Sequence, residues 1–152
     1  MNAQAQISDP QMLSIYKYWH RRRGDRRMPA RKDIDPVEIP HHLPNLMLVD
    51  IEHSPLRFRY RLVGTRIVSV SGEDRTGRYF DDTQFIEKNP VILDQYQRTV
   101  DTGEPLFSLE PFTNLINGNS YEVERLLLPM SSDGMNVDMI LVYFNFRGGY
   151  GA

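Results

Sequence analysis

Residues 58–77, FRYRLVGTRIVSVSGEDRTG, decide how this chain is read. The segment opens on strict alternation. Phe58, Tyr60 and Leu62 fall on one face of an extended chain, and Arg57, Arg59 and Arg61 on the other. Period two marks a strand buried on one side only. At Val63-Gly64-Thr65 the pattern changes. Ile67, Val68, Val70 and Gly72 follow, an apolar cluster too short for a long helix. Glu73-Asp74-Arg75-Thr76-Gly77 then reads as a turn. The segment is thus a half-buried strand, one short helix, a glycine and an Asp-x-Thr-Gly turn.

Upstream, residues 46–52 read as a first strand, and His53-Ser54-Pro55 turns the chain into the second at 57–63, an antiparallel pair. Downstream, residues 73–88 are irregular, with one short helical turn near 83–88. Asn89-Pro90 starts a helix over 90–102, on which Ile92, Leu93, Tyr96 and Val100 share a face, and Gly103 ends it. Three strands follow, at 105–112, 120–129 and 137–146. Asn117-Gly118 between the first two is a strong hairpin signal. The last strand, MILVYFNF at its centre, is nearly continuous in apolar residues and is expected to be central in the sheet. The closing RGGYGA is expected to be a flexible tail.

Toward the N-terminus, Asp9 is a helix N-cap and Pro10 a first helical residue. Met12, Ile15, Tyr16 and Trp19 recur at helical spacing with Leu13 beside them, so residues 10–23 form an amphipathic helix stopped by Gly24. Arg21, Arg22 and Arg23 at its end suit the helix dipole. A basic loop follows over 24–33. Asp35-Pro36-Val37-Glu38 then opens a short helix that Pro40 limits to about one turn. The expected organisation is an N-terminal helix and basic loop (1–34), one domain (35–147) and a tail (148–152). The fold class is α+β: a five-stranded antiparallel sheet with helices on one face, plus the N-terminal helix.

Composition limits the chemistry. A length of 152 residues suits one domain. The absence of cysteine excludes disulfides, thiolate zinc, cysteine-ligated iron–sulfur clusters and thiol catalysis. No apolar run approaches the ~20 residues of a membrane span. The N-terminus lacks the basic start and apolar core of a secretion signal. A soluble, cytoplasmic protein is expected. The net charge of −2 hides an asymmetry. Residues 1–32 carry eight basic and two acidic residues, and the remainder ten basic and eighteen acidic. A basic head on an acidic body can bind an anionic partner or a neighbouring copy.

The strand order resembles PAS topology, and the likeness extends to local motifs. These are Tyr18-Trp19, Arg23-Gly24-Asp25-Arg26, Pro29-Ala30-Arg31, Asp33-Ile34-Asp35-Pro36, Leu43-Pro44-Asn45-Leu46, Phe58-Arg59-Tyr60-Arg61-Leu62-Val63-Gly64-Thr65 and Thr76-Gly77-Arg78. Together they resemble a family of short, stand-alone PAS proteins common in alphaproteobacteria, over about residues 13–146. The resemblance implies a PAS fold with an N-terminal helical extension and a sensory or protein-interaction role. It names no ligand.

Helix 90–102 lies where PAS domains hold their ligand. Leu93, Tyr96, Val100, Phe107, Leu126, Met139, Leu141 and Tyr143 are the candidates for a pocket that could hold a small, mostly apolar molecule with one or two polar anchors. Strand parity stays open in the last two strands, because both faces are partly apolar. Plain core packing is the competing reading. Haem sensors of this fold take an axial ligand, usually a histidine on the long helix, and residues 89–103 hold none. Its covalent flavin photosensors need a cysteine. The cofactor is therefore unknown, with haem and cysteinyl-flavin disfavoured and a non-covalent flavin open. His41-His42 has no third ligand at standard spacing and reads as two surface or helix-end histidines, not a metal site.

The run 21–32 raises a nucleic-acid reading, with Tyr16, Tyr18 and Trp19 available to stack on bases. Burial of the aromatics and capping by the arginines explain the same residues. No Gly-x-Ser-x-Gly elbow, phosphate-cradling glycine loop or fixed carboxylate pair points to an enzyme. The stripe Leu13, Ile15, Tyr16 and Trp19 lies outside the core and needs cover. It is therefore the candidate dimer or partner surface, with a homodimer expected. The leading expectation is a sensory or regulatory module acting on a partner protein. The alternative is a nucleic-acid-binding regulator using residues 21–32.

Overall fold

A computed structural model describes residues 2–150. Near the N-terminus, helix α1 (Ala3–Gln6) precedes α2 (Pro10–Arg23). The Asp9 carboxylate accepts the Met12 amide at 2.8 Å, Pro10 occupies the first helical position, and Gly24 stops α2 in the left-handed region at φ 59°. Three 3₁₀ turns, Arg31–Asp33, Pro36–Glu38 and Pro40–Asn45, carry the chain to the sheet. Strands β1 (Leu46–Glu52) and β2 (Arg57–Val63) form the expected pair. Helices α3 (Thr65–Ser71), α4 (Gln84–Lys88) and α5 (Pro90–Thr102) follow. Strands β3 (Leu106–Thr113), β4 (Ser120–Met130) and β5 (Met139–Tyr150) complete the chain. No helix among the described residues is long and apolar enough to cross a membrane.

All five strands pair antiparallel in the order β2-β1-β5-β4-β3. The most apolar strand, β5, is central, as its composition predicts. A register shift interrupts the β1–β2 ladder. Phe58 and Tyr60 stay on the buried face, opposite Ile51 and Val49. Leu62 instead pairs with Leu48 and is 47 % exposed, so the alternation read over 57–62 breaks after Tyr60. A further difference lies at the C-terminus. Strand β5 runs to Tyr150, and β4 pairs with it as far as Ser120↔Tyr150, so residues 148–150 of the expected tail are strand. Residues 151–152 lie outside the described part.

Register fixes the two faces of the sheet. Met47, Val142, Leu127 and Leu106 are mutual neighbours on one face, together with Arg125 and Phe144 one step along. This is the inner face, under α3, α4 and α5. Leu48, Leu141 and Leu128 align across the other, outer face, as do Leu46, Tyr143 and Leu126. Helix α2 covers that outer face of its own sheet. Met12, Ile15 and Trp19 are buried, and the Trp19 indole N–H donates to the Pro129 carbonyl at 2.9 Å. The sheet is thus buried on both sides at β4 and β5, and one apolar cluster runs through it from α2 to α5.

A candidate ligand pocket under the longest interior helix

Between the inner face and helices α3–α5 lies a cavity of about 310 Å³. Its floor is Met47, Tyr60, Val123, Arg125, Phe144 and Phe146, and its far edge is Glu110 and Phe112 of β3. Helices supply the walls: Ile67 and Val70 from α3, Phe85 and Ile86 from α4, Ile92 and Tyr96 from α5. Helix α5 is positioned by Pro90 at its first turn and by Gly103 at φ 64°, where its last turn is closed. Tyr60 and Tyr96 are backed by Phe80, whose ring lies 4.5 Å and 4.9 Å from theirs. Burial pushes both phenols up, with Arg125 acting in the opposite sense on each, so both hydroxyls stay protonated at neutral pH.

The polar groups of the cavity converge on Arg125, which is 4 % exposed. Its Nη2 donates to the Gln95 side-chain carbonyl and to Ser108 Oγ at 3.3 Å. The Gln95 amide in turn donates to Glu110 Oε1 at 3.2 Å. The guanidinium carbon sits 5.8 Å from the centre of the Tyr96 ring. Arg125 Nη1 is buried without a partner. At the mouth, Arg75 lies 4.9 Å over the Phe85 ring and reaches Glu73 at 3.4 Å. Such a space suits recognition rather than bond-making: apolar walls, two neutral phenols and a buried cation, with Glu73, Arg75, Lys88 and Glu110 also in its lining.

Of the eight residues expected to line a pocket, Tyr96 lines this one. Leu93 and Val100 are half-buried on α5 and pack on the apolar core. Phe107, Leu126, Met139, Leu141 and Tyr143 belong to the outer face, toward α2; the parity that the sequence leaves open in the last two strands places Arg125 and Phe144, not these residues, on the inner face. Burial there pushes the Tyr143 hydroxyl up to about 12. Polar lining residues that were missed include Tyr60, Glu110 and Arg125, with Gln95 and Ser108 behind them as hydrogen-bond partners of Arg125. A readable signal existed for one of them: Arg125 interrupts an apolar run, VERLLLPM, where a charge needs a reason.

The stripe on α2 is spent within the chain. Ile15 and Trp19 are buried against the sheet, Tyr16 is half-buried with its ring 6.2 Å from Trp19, and Leu13 is half-buried beside Tyr18 and Ile39. The basic segment is also largely engaged with its own backbone. Arg22 donates to the Asp33 carbonyl, Arg23 to that of Arg26, Arg27 to that of Thr102 and Arg31 to that of Ile34, while Arg26 pairs with the Asp33 carboxylate at 2.8 Å. His41 is exposed, but His42 is buried, with its ring edge-on to Tyr143 at 5.8 Å. Of the two alternatives, surface or helix-end, His42 takes the second: it lies in the last turn of Pro40–Asn45 and is buried between α2 and the outer face.

Comparison with known proteins gives the same architecture. A family model described as the PAS domain matches residues 7–143. Among solved structures, a light-oxygen-voltage domain characterised with a flavin analogue is similar with a TM-score of 0.55 and 14 % identity, over 74 % of this chain and 83 % of that one. An RNA-binding light-oxygen-voltage receptor is similar with a TM-score of 0.51 and 15 % identity, over 78 % of this chain and 35 % of the receptor. At these identities the likeness is one of fold. No curated protein matches the sequence.

Proposed function

This chain belongs to the PAS domain family, and from that premise we propose that it is a sensory and regulatory module that binds a small molecule in the pocket under α5 and acts through a partner protein. One observation carries the reading. The cavity of about 310 Å³ is apolar in its walls, yet it borders a buried arginine with an unpartnered donor. A space that existed only as a packing remnant would be lined by apolar side chains and would have no use for a buried cation.

In this reading α2 is the output element. It covers the outer face of β4 and β5, the two strands whose inner face forms part of the pocket floor. A ligand that tilts those strands changes the surface on which α2 rests, which shifts the population of its packed state. Because Ile15 and Trp19 are already buried in the chain, a homodimer built on this stripe would require exchange of α2 between copies rather than simple addition of a second face. The flavin analogue and the RNA binding belong to the neighbours that carry those words. The present chain has no cysteine for a thiol–flavin adduct.

Native mass spectrometry of gently purified protein tests the reading directly. The expected result is a fraction of molecules heavier than the chain by one small molecule, released on denaturation. Bare chain from every preparation, together with no binder in a screen of small metabolites, would refute the pocket as a sensor site. The same spectrum reports whether the species is single or double.

A further inference from the structure

Two adjacent charges on β4 meet different fates. Glu124 points to the outer face, is 2 % exposed, and is matched by Arg147 Nη2 at 2.8 Å and the Asn145 amide at 2.8 Å. Arg125 points to the inner face and borders the cavity. Among the described residues no carboxylate comes within 4.0 Å of it. Glu110 is joined to it through the Gln95 amide, which takes the Nη2 donor and leaves Nη1 without a partner. A guanidinium stays charged in proteins, and burying one without a counter-charge is strongly unfavourable. The fold therefore holds a buried cation with no direct counter-anion among the described residues.

Resting on the pocket reading above, we propose that the cavity takes a small monocarboxylate with an apolar body, its carboxylate placed against the free edge of Arg125. Nη2 is taken by Gln95 and Ser108, so Nη1 is the donor left to give the carboxylate a charge-assisted hydrogen bond. Tyr60 and Tyr96, both lining the same space, can add neutral donors to the carboxylate oxygens. The rest of the ligand meets Ile67, Val70, Phe85, Ile92 and Phe112, which offer nothing to a polar body. Glu110 sets the charge limit. It lines the cavity as well, so a second negative charge beside Arg125 would face a carboxylate; of the other lining cations, Arg75 is paired with Glu73 and Lys88 is exposed. The cavity lies at the lower end of the roughly 300–1,000 Å³ typical of ligand sites, which favours a compact acid.

The test uses matched probes on the full chain: octanoate and phenylacetate, their neutral amides octanamide and phenylacetamide, and the dicarboxylate suberate. Binding is read by calorimetry and by the rise in melting temperature. The acids are expected to bind and their amides to bind roughly 10–100-fold more weakly, the range for one charge-assisted contact. Arg125→Gln should bring acids and amides to the same weak affinity, and Arg125→Lys should recover part of the difference. Should Arg125→Gln not fold, the Lys variant and the acid-to-amide ratio in the unmodified chain decide the matter. Glu110→Gln should raise the affinity for suberate relative to that for octanoate. Amides that bind as well as acids would overturn the carboxylate assignment while sparing the pocket. Failure of all five probes would overturn the assignment itself. It would reach the pocket reading only if native mass spectrometry also showed bare protein.

Discussion

At the scale of single residues, Gly64 shows a constraint that comes from space and not from backbone conformation. Its φ of −63° is open to any residue, but a Cβ there would lie 2.3 Å from the Pro44 carbonyl oxygen and 2.6 Å from that of Leu43. The Gly64 amide donates to the Leu46 carbonyl at 2.8 Å, which draws the start of α3 onto the Pro40–Asn45 turn. Both obstacles are backbone, so neither can rotate away. Gly64→Ala is expected to cost about 1–3 kcal/mol, the range for forced overpacking, read as a lower urea midpoint with unchanged slope. A midpoint equal to that of the unmodified chain would contradict this close approach. His42 supplies a second residue-scale prediction. Burial lowers its affinity for a proton below the usual value of 6.5, His41 adds to this, and Asp9 opposes it. The unfolded chain therefore binds the proton more readily than the folded one. Stability is complete above about pH 6.5 and falls as pH drops from there toward the lower folded value. The carboxylates held low by hydrogen bonds, Asp33, Asp74 and Asp133, lose their contribution only in more acid solution. A Tm series from pH 7 to pH 5 should decline in the unmodified chain and be flatter in His42→Gln. An equal decline in both would assign the slope to another group.

At the scale of elements, α2 acts as a cover, and its removal has a definite consequence. Trp19 is 3 % exposed and hydrogen-bonded to Pro129, so Trp19→Ala is expected to cost about 3–5 kcal/mol, measured by chemical unfolding. Removing residues 1–24 uncovers Leu126, Leu128, Leu141 and Tyr143, and the truncated chain should self-associate in sedimentation or light scattering. A truncated chain that stays monomeric and keeps its melting temperature would show that α2 covers nothing of importance. The same two-sided burial explains what was legible in the sequence. The elements were legible. Residues 10–23, 46–52, 57–63, 65–71 and 90–102 could be delimited because capping residues, glycines and prolines punctuate them locally. The site was not. A strand reveals its faces through the contrast between a wet side and a dry side, and β4 and β5 have none where helices cover both. Parity over 126–143 therefore carried no signal, and the pocket candidates fell on the outer face. Arg125 and Glu124 were the exception, two charges in an apolar strand. Their partners, Gln95 at a separation of 30 residues and Arg147 at 23, could not be paired from sequence.

At the scale of the whole molecule, the two faces of the sheet are joined by a tie outside the sheet. Arg27, in the loop after α2, donates through Nη2 to the Thr102 carbonyl at 2.9 Å, in the last turn of α5. It lies across Gly103, where a Cβ would meet its Nη2 at 2.6 Å. Two residues further on, the Pro29 carbonyl accepts the Ser131 amide at 3.0 Å, just past the end of β4. One loop thus touches the helix that walls the pocket and the strand on which α2 lies. In the proposed complex a carboxylate at Arg125 would lie near Tyr96 of α5, whose ring centre is 5.8 Å from the guanidinium carbon, and a displacement of α5 would reach Arg27 through Thr102. The Arg27 bond is exposed, and a hydrogen bond of this kind contributes about 0.5–1.5 kcal/mol. Octanoate is therefore expected to change amide exchange over residues 12–23 by roughly two- to tenfold in the unmodified chain. Arg27→Ala should keep octanoate affinity within about twofold, because Arg27 does not line the cavity, and should lose most of the exchange response. Binding free energies are reciprocal. If α2 and the pocket are coupled in this way, a variant that loosens α2, such as Ile15→Ala, must shift octanoate affinity in the reciprocal sense, by at most the factor by which octanoate shifts the docking of α2. An exchange response that survives Arg27→Ala would place the coupling in β4 and β5 themselves, and no response in either chain would leave α2 a fixed cover rather than a moving part.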